Sequence, residues 1–260
     1  MASTLLAYTR AVSPTLAECQ LTHLERVAID LQRAVAEHAA YEQTLRRLGL
    51  MVRRLRPAPR LPDAVFVEDT AIVLDDIAII TRPGAPSRRA EVAVVAATLA
   101  AHRRVETIRE PATLDGGDVL VDGTRVYVGR SSRTNDEAIS QLAGLLHPLD
   151  YRVIPVEFAG CLHLKSAVTR VGPGLLLVNP DWVQDSVFAG ARVIAVDPAE
   201  PHAANALAVG GVIIHPLQCP RTRARLEAER LRVVPVDTAE LAKAEAGVTC
   251  CSLLVRVGRR

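Results

Sequence analysis

Aromatic side chains are scarce in this 260-residue chain, at 3%, with one Trp, four Tyr and three Phe. That is too few to build the stacking platforms on which single-stranded nucleic acids lie. Lysine is scarcer still: Lys165 and Lys243 are the only two, so arginine supplies 29 of the 31 basic side chains. Set against 29 acidic groups, these leave a formal charge of +2, with no surplus for following a phosphate backbone, and nucleic acid is not expected as a partner. No apolar run reaches the roughly 18 residues of a membrane span. The first ten residues also lack the apolar core of a secretion signal, so a cytoplasmic protein with no membrane partner is expected. Five cysteines are too few, and of the wrong parity, for a disulfide framework, which leaves at least one free thiol.

What is present is a chain of 49% hydrophobic residues that can bury a full core, with no Pro/Gly/Ser linker to divide it. One catalytic domain over 1–260 is expected. A phrase recurs along it: Ile79-Ile80-Thr81-Arg82, Tyr127-Val128-Gly129-Arg130, Leu176-Leu177-Val178-Asn179, Ile213-Ile214-His215-Pro216 and Leu253-Leu254-Val255-Arg256, starting 48, 49, 37 and 40 residues apart. A second phrase is seen in Arg152-Val153-Ile154-Pro155-Val156, Arg192-Val193-Ile194-Ala195-Val196 and Arg232-Val233-Val234-Pro235-Val236, with weaker forms at 105–108 and 51–55. Proline inside it predicts a strand at a sheet edge. Apolar spacing predicts helices over 16–48, 87–101, 135–145, 182–188 and 222–229. Asp122-Gly123 and Gly172-Pro173-Gly174 suit turns between paired strands. The pattern implies five pseudo-symmetric units around an axis, with helices outside.

The reactive residues fall between the edge strand and the hairpin of each unit. They lie in Pro62 to Asp69, in Thr113 to Asp118, in Cys161 to Ser166, in His202 to Ala206 and in Val248 to Ser252. In such a ring, equivalent positions share radius and height, so carboxylates, a histidine and a thiol converge. If 248–255 is a strand, Cys250 and Cys251 face opposite sides, and Cys250 is assigned the open side. The cysteines and His163 lack metal-ligand spacing, so no metal is expected. A Cys250–His163 pair oriented by Asp115 fits better. Asp63, Glu68 and Asp69 flank the apolar run 64–67, and carboxylates so placed need a cationic partner, from internal arginine or from a ligand. Arg88 and Arg133 stand where strands meet helices, where a planar donor fork suits a carboxylate.

Pro62 to Asp69, Thr81 to Arg89, Leu114 to Leu120, Arg133-Thr134-Asn135, Leu162-His163-Leu164-Lys165-Ser166 and Thr249-Cys250-Cys251-Ser252 together resemble the dimethylarginine dimethylaminohydrolases, within the guanidino-group-modifying (amidinotransferase) superfamily. The resemblance implies an α/β fold, a five-bladed propeller of ββαβ modules. It implies hydrolysis of Nω-methylated L-arginine, a small-molecule substrate, to L-citrulline and a methylamine, with no cofactor. Position by position, it implies Cys250 as nucleophile, His163 as general acid and base, and Asp115 as the residue that holds His163. Asp63, Phe66, Glu68 and Asp69 fall on substrate-binding positions, Arg88 and Arg133 on the grip of the α-carboxylate, and Leu21 on an N-terminal lid. Glu245 stands where the family usually has Asp. A monomer or homodimer is expected. Two other readings are an arginine deiminase, whose His-x-Asp motif is here His163-Leu164-Lys165, and a non-catalytic guanidinium-binding protein.

Overall fold

The computed structural model describes residues 4–258. In four of the five units the apolar phrase becomes the middle strand of a three-stranded sheet, where both faces are covered. The five sheets are built from β1 (Thr4–Thr9) and β2 (Met51–Arg54), then β3 (Ala71–Val73), β4 (Ile77–Ile80) and β5 (Arg104–Thr107), then β6 (Val119–Asp122), β7 (Arg125–Arg130) and β8 (Arg152–Glu157). There follow β9 (Val168–Gly172), β10 (Leu175–Val178) and β11 (Arg192–Ala195), then β12 (Leu207–Val209), β13 (Val212–Pro216) and β14 (Arg232–Val236), and finally β15 (Leu253–Val257). Every residue of β4 and β13 is buried, as expected for strands covered on both sides. Strands β2, β5, β8, β11 and β14 each run parallel to their middle strand at one sheet edge. Pro155 and Pro235 lie in two of these edges, where a missing N–H is tolerated.

The expected place of 253–256 is corrected. Strand β15 takes the hairpin-partner position, and the middle strand of its sheet is β1, which pairs antiparallel with it through Leu6 and Val255. One unit is therefore assembled from β1 and β2 together with β15, strands far apart in sequence, which closes the ring.

The helices are α1 (Leu31–Arg47), α2 (Val92–Ala100), α3 (Asp136–Leu146), the short α4 (Leu164–Ala167), α5 (Pro220–Ala228) and the short α6 (Ala239–Ala242). Only the second half of the predicted 16–48 helix is helical. Asp30 accepts hydrogen bonds from the Gln32 and Arg33 amides and so starts α1, while 16–18 make a single 3-10 turn and 19–30 run irregularly. The 87–101 stretch is a 3-10 turn over Pro86–Glu91 followed by α2, and 182–188 keeps only a 3-10 turn at Asp185–Phe188. The long helices lie over the sheets. Ala138, Leu142 and Leu146 of α3, for example, are buried with Ile77, Ile79, Val126 and Val128.

The loops between sheets are joined around the ring by hydrogen bonds. The Gly117 amide donates to Asp69, the Leu164 amide to Asp118, the Asn205 side chain to the Lys165 carbonyl, the Thr249 amide to Asn205, and the Glu68 amide to the Cys250 carbonyl, all at 2.9–3.1 Å. Each loop is thus fixed by the next, and groups far apart in sequence are held in one register.

Candidate active site

A pocket of only ≈ 10 Å³ opens where these loops meet, lined by Gln20, Asp63, Phe66, Asp69, Arg88, Arg133, Leu162, His163, Ala244, Glu245, Ala246 and Cys250. Eight of the eleven residues expected at the site line it; Glu68 and Asp115 stand behind the wall, and half-buried Leu21 packs on the core beside it.

His163 is buried and precedes α4, so the turn that begins that helix fixes its backbone. Its Nε2–H donates to Asp115 Oδ2 at 3.1 Å, and its Nδ1 lies 3.8 Å from Asp69 Oδ1. Burial alone would lower its pKa, but Asp69, Asp115 and Asp118 outweigh burial and raise it to about 9. Asp69 shows the reverse balance: burial opposes its charge, and His163 and Arg88 hold it down at about 2. Asp118, whose carboxylate is bound by Ser131, Thr134 and the Leu164 amide, is pushed up by burial. Asp69, Asp115 and His163 bring one potential metal-ligand atom each within 4.8 Å of one another. The imidazole is already committed there to Asp115.

Cys250 is 9% exposed, and its Sγ accepts the Gly247 amide at 3.3 Å. The strand alternation expected for it is corrected, since 249–251 form a turn and β15 begins at Leu253. The turn aims Cys250 at the pocket and sends Cys251 into the core around α1. Burial, with Glu68 and Asp69 adding to it, raises the Cys250 thiol to about 12. The thiol is therefore neutral near pH 7.

Both Glu68 oxygens are held, one by Lys165 Nζ at 2.5 Å and the other by Thr249 Oγ1 at 2.6 Å. Asn205 in turn holds Thr249 through its hydroxyl and its amide. Lys165, Thr249 and Asn205 were not recognised as site residues from sequence, although all three stand in the loops that carry the repeat. Their part depends on contacts between loops, which no local pattern encodes. The same is true of Gln20, whose amide donates to Asp63 at 3.1 Å. Burial raises the Asp63 pKa, with Arg88 and the Gln20 amide opposing it.

The two arginines differ. Arg88 is buried and makes five hydrogen bonds, to Glu91 twice, to Asp69, and to the carbonyls of Asp63 and Phe66. Arg88 lines the pocket, and a single Nη1 hydrogen remains for a ligand, because neighbouring loops occupy the rest of the fork. Arg133 lines the pocket, makes one side-chain hydrogen bond, to Thr22 Oγ1 at 3.1 Å, and lies 4.0 Å from Asp115, so most of its donors have no partner among the described residues. Glu245 lines the pocket as well. Its carboxylate accepts the backbone amides of Thr22, His23 and Leu24.

A ring of five ββαβ units that gathers a thiol, a carboxylate-held imidazole and an acid-lined pocket on its inter-sheet loops defines the class of guanidino-group-modifying α/β propellers. The comparisons narrow this. The sequence profile described as "N,N dimethylarginine dimethylhydrolase, eukaryotic" matches residues 18–210. The N(G),N(G)-dimethylarginine dimethylaminohydrolase of Streptomyces coelicolor is 40% identical over 252 residues, 96% of each chain. A Pseudomonas aeruginosa dimethylarginine dimethylaminohydrolase mutant, solved in complex with citrulline, superposes with a TM-score of 0.92 at 32% identity, covering 98% of this chain and all of that one. A dimethylarginine dimethylaminohydrolase variant solved as an adduct with S-methyl-L-thiocitrulline gives a TM-score of 0.90 at 33% identity, covering 98% of this chain and 100% of the other. The chain belongs to the dimethylarginine dimethylaminohydrolase family.

Proposed function

We propose that this protein hydrolyses Nω-methylated L-arginine, asymmetric dimethylarginine or monomethylarginine, to L-citrulline and dimethylamine or methylamine. The observation that carries the reading is one pocket lined by a neutral buried thiol and a charged imidazole, with carboxylates on both sides of that imidazole. A guanidinium carbon is a poor electrophile, and the acids Glu68 and Asp69 suit the cation that contains it. That cation also favours the thiolate of Cys250, by the same charge argument that makes the empty site disfavour it.

In the proposed reaction the Cys250 thiol gives up its proton to solvent as the substrate cation binds, and the resulting thiolate Sγ attacks the guanidinium carbon. The C–N bond to the methylated nitrogen then breaks, with His163 giving its proton to the departing amine. The product is a cationic S-alkylthiouronium. His163, now neutral, takes a proton from water, the resulting hydroxide adds to the same carbon, and Cys250 leaves as thiolate while the added hydroxyl loses its remaining proton to solvent, which gives the urea carbonyl of citrulline. Asp115 holds the imidazole in one orientation through both steps. Asp63 suits the α-amine, and Arg133 is the freer grip for the α-carboxylate, with Arg88 supporting Asp69 and the loop carbonyls. Leu21 is assigned to the covering loop. Lys165, bound to Glu68, occupies the place where a deiminase would carry a second acid, which supports a methylated over an unsubstituted guanidinium.

The assay is citrulline formation from asymmetric dimethylarginine, monomethylarginine and arginine. Turnover of the methylated substrates with release of the matching amine supports the reading. Turnover of arginine alone would replace it with a deiminase, and binding without turnover with a non-catalytic protein.

A further inference from the structure

The pocket at Cys250 has room for about one water, far less than an amino acid needs, so part of its wall must move when a substrate is admitted. The irregular run 19–30 supplies one side of that wall: Gln20 lines the pocket, and His23, Leu24, Glu25 and Val27 line a ≈ 630 Å³ cavity beside it. Leu162, Glu245 and Ala246 belong to both.

Apolar packing holds the run at Cys19, Leu21 and Ile29 but not between them. Leu24 is 39% exposed and Val27 52%. Beyond the Gln20 amide on Asp63 and Arg133 on Thr22, its polar tethers come from one short segment. The Asp30 amide donates to Glu240 at 2.8 Å, Lys243 Nζ donates to the Ala28 carbonyl at 3.0 Å, and the successive amides of Thr22, His23 and Leu24 converge on the Glu245 carboxylate at 2.5–3.0 Å. Three consecutive N–H groups around one carboxylate make a charge-assisted nest. The backbone of Glu245 is left-handed, with φ of 57°, a conformation costly for a non-glycine residue, and it is this twist that turns the side chain toward the loop.

We propose that Glu245 is a positioning residue that latches the 20–24 stretch over the reactive pocket, so that substrate is admitted and product leaves when its carboxylate lets go of those amides. The Glu240 and Lys243 tethers hold the far end of the loop as the hinge. This deepens the proposed function and rests on it for the identity of the substrate. The same segment reaches the nucleophile five residues later, so closing the loop and seating Cys250 are coupled through 245–250.

The test uses Glu245→Gln, which keeps the shape and removes the charge, and Glu245→Gly, which suits the left-handed backbone and removes the carboxylate. Hydrogen exchange of the 20–24 amides and iodoacetamide labelling of Cys250, read by peptide mass spectrometry in the unliganded protein, report the latch without any turnover. Both variants are expected to exchange faster at 20–24 and to label at Cys250 about tenfold faster. The KM for asymmetric dimethylarginine is expected to rise about tenfold, with a smaller change in kcat. Unchanged exchange and labelling in both variants would overturn the latch, and a fall in kcat/KM beside them would mean that Glu245 meets the substrate directly. If the parent protein turns over no methylarginine, the proposed function fails, and exchange and labelling still decide the latch.

Discussion

The state of Cys250 before substrate arrives yields a quantitative test. Burial, Glu68 and Asp69 move its thiol from an ordinary 9 to about 12, which cuts the thiolate fraction near neutral pH roughly a thousandfold. A cation placed about 4 Å from the sulfur contributes ~4 kcal/mol at an effective dielectric of ~20, close to three pKa units. A bound amidinium should therefore return the thiol to about its ordinary value and recover most of the lost reactivity. Chloroacetamidine carries that charge, and chloroacetamide is its neutral analogue. With inactivation rates at pH 7.5 divided by each reagent's rate toward a small free thiol, the cationic reagent is expected to react at least ~100-fold faster than the neutral one. Glu68→Gln should shrink the ratio by removing one of the two acids. Equal normalised rates for the two reagents would refute the neutral-thiol, cation-activated description.

The charged form of His163 is its proton-donating form with a pKa held near 9, and the bound cation returns the Cys250 thiol to about its ordinary 9, so kcat is expected to rise with pH toward that value as the thiolate forms and to fall about tenfold per unit above it. Asp115→Asn removes a charge that favours the imidazolium and should move this limb to lower pH. Because the folded value lies above the ordinary 6.5, the stabilisation from His163 is fully present below pH 6.5 and is lost as the pH rises through 9, which thermal melts between pH 6 and 10 would follow. Gly117 has no room for a methyl group: a Cβ there would meet His163 Nδ1 at 2.6 Å and Asp69 Oδ1 at 2.8 Å. Gly117→Ala should lower kcat by ~100-fold, and wild-type kinetics would show that the His163 position is not critical. Arg88→Lys breaks a buried network and should cost ~3–5 kcal/mol in a urea melt, whereas Arg133→Lys should leave the melt nearly unchanged and raise KM. The opposite pattern would reverse the roles given to the two arginines.

Much of the architecture was legible because it is repeated. Pro155 and Pro235 marked edge strands in two units, and the phrases at 79–82, 127–130, 176–179 and 213–216 marked middle strands in four. The phrase at 253–256 misled because its hydrophobicity is the same whichever strand of a hairpin it forms; only pairing with Thr4–Thr9 decides. The 16–30 stretch has helical spacing, but Asp30 caps a later start and the polar tethers to Glu240, Lys243 and Glu245 take up amides and a carbonyl a helix would have used. At the site, residue types were readable and partnerships were not. Asp63 to Asp69, His163 and Cys250 stand in distinctive segments, whereas nothing local reveals that Arg88 is enclosed by Asp69 and Glu91, or that Thr249 and Lys165 hold the two oxygens of Glu68.

The measurement closest to the central claim is citrulline and dimethylamine produced from asymmetric dimethylarginine by the parent protein and by Cys250→Ser. The two products should appear in equal amounts with the parent, and the serine variant should retain less than about a thousandth of the rate. Turnover undiminished by the serine substitution, or a parent protein that releases neither product, would contradict it.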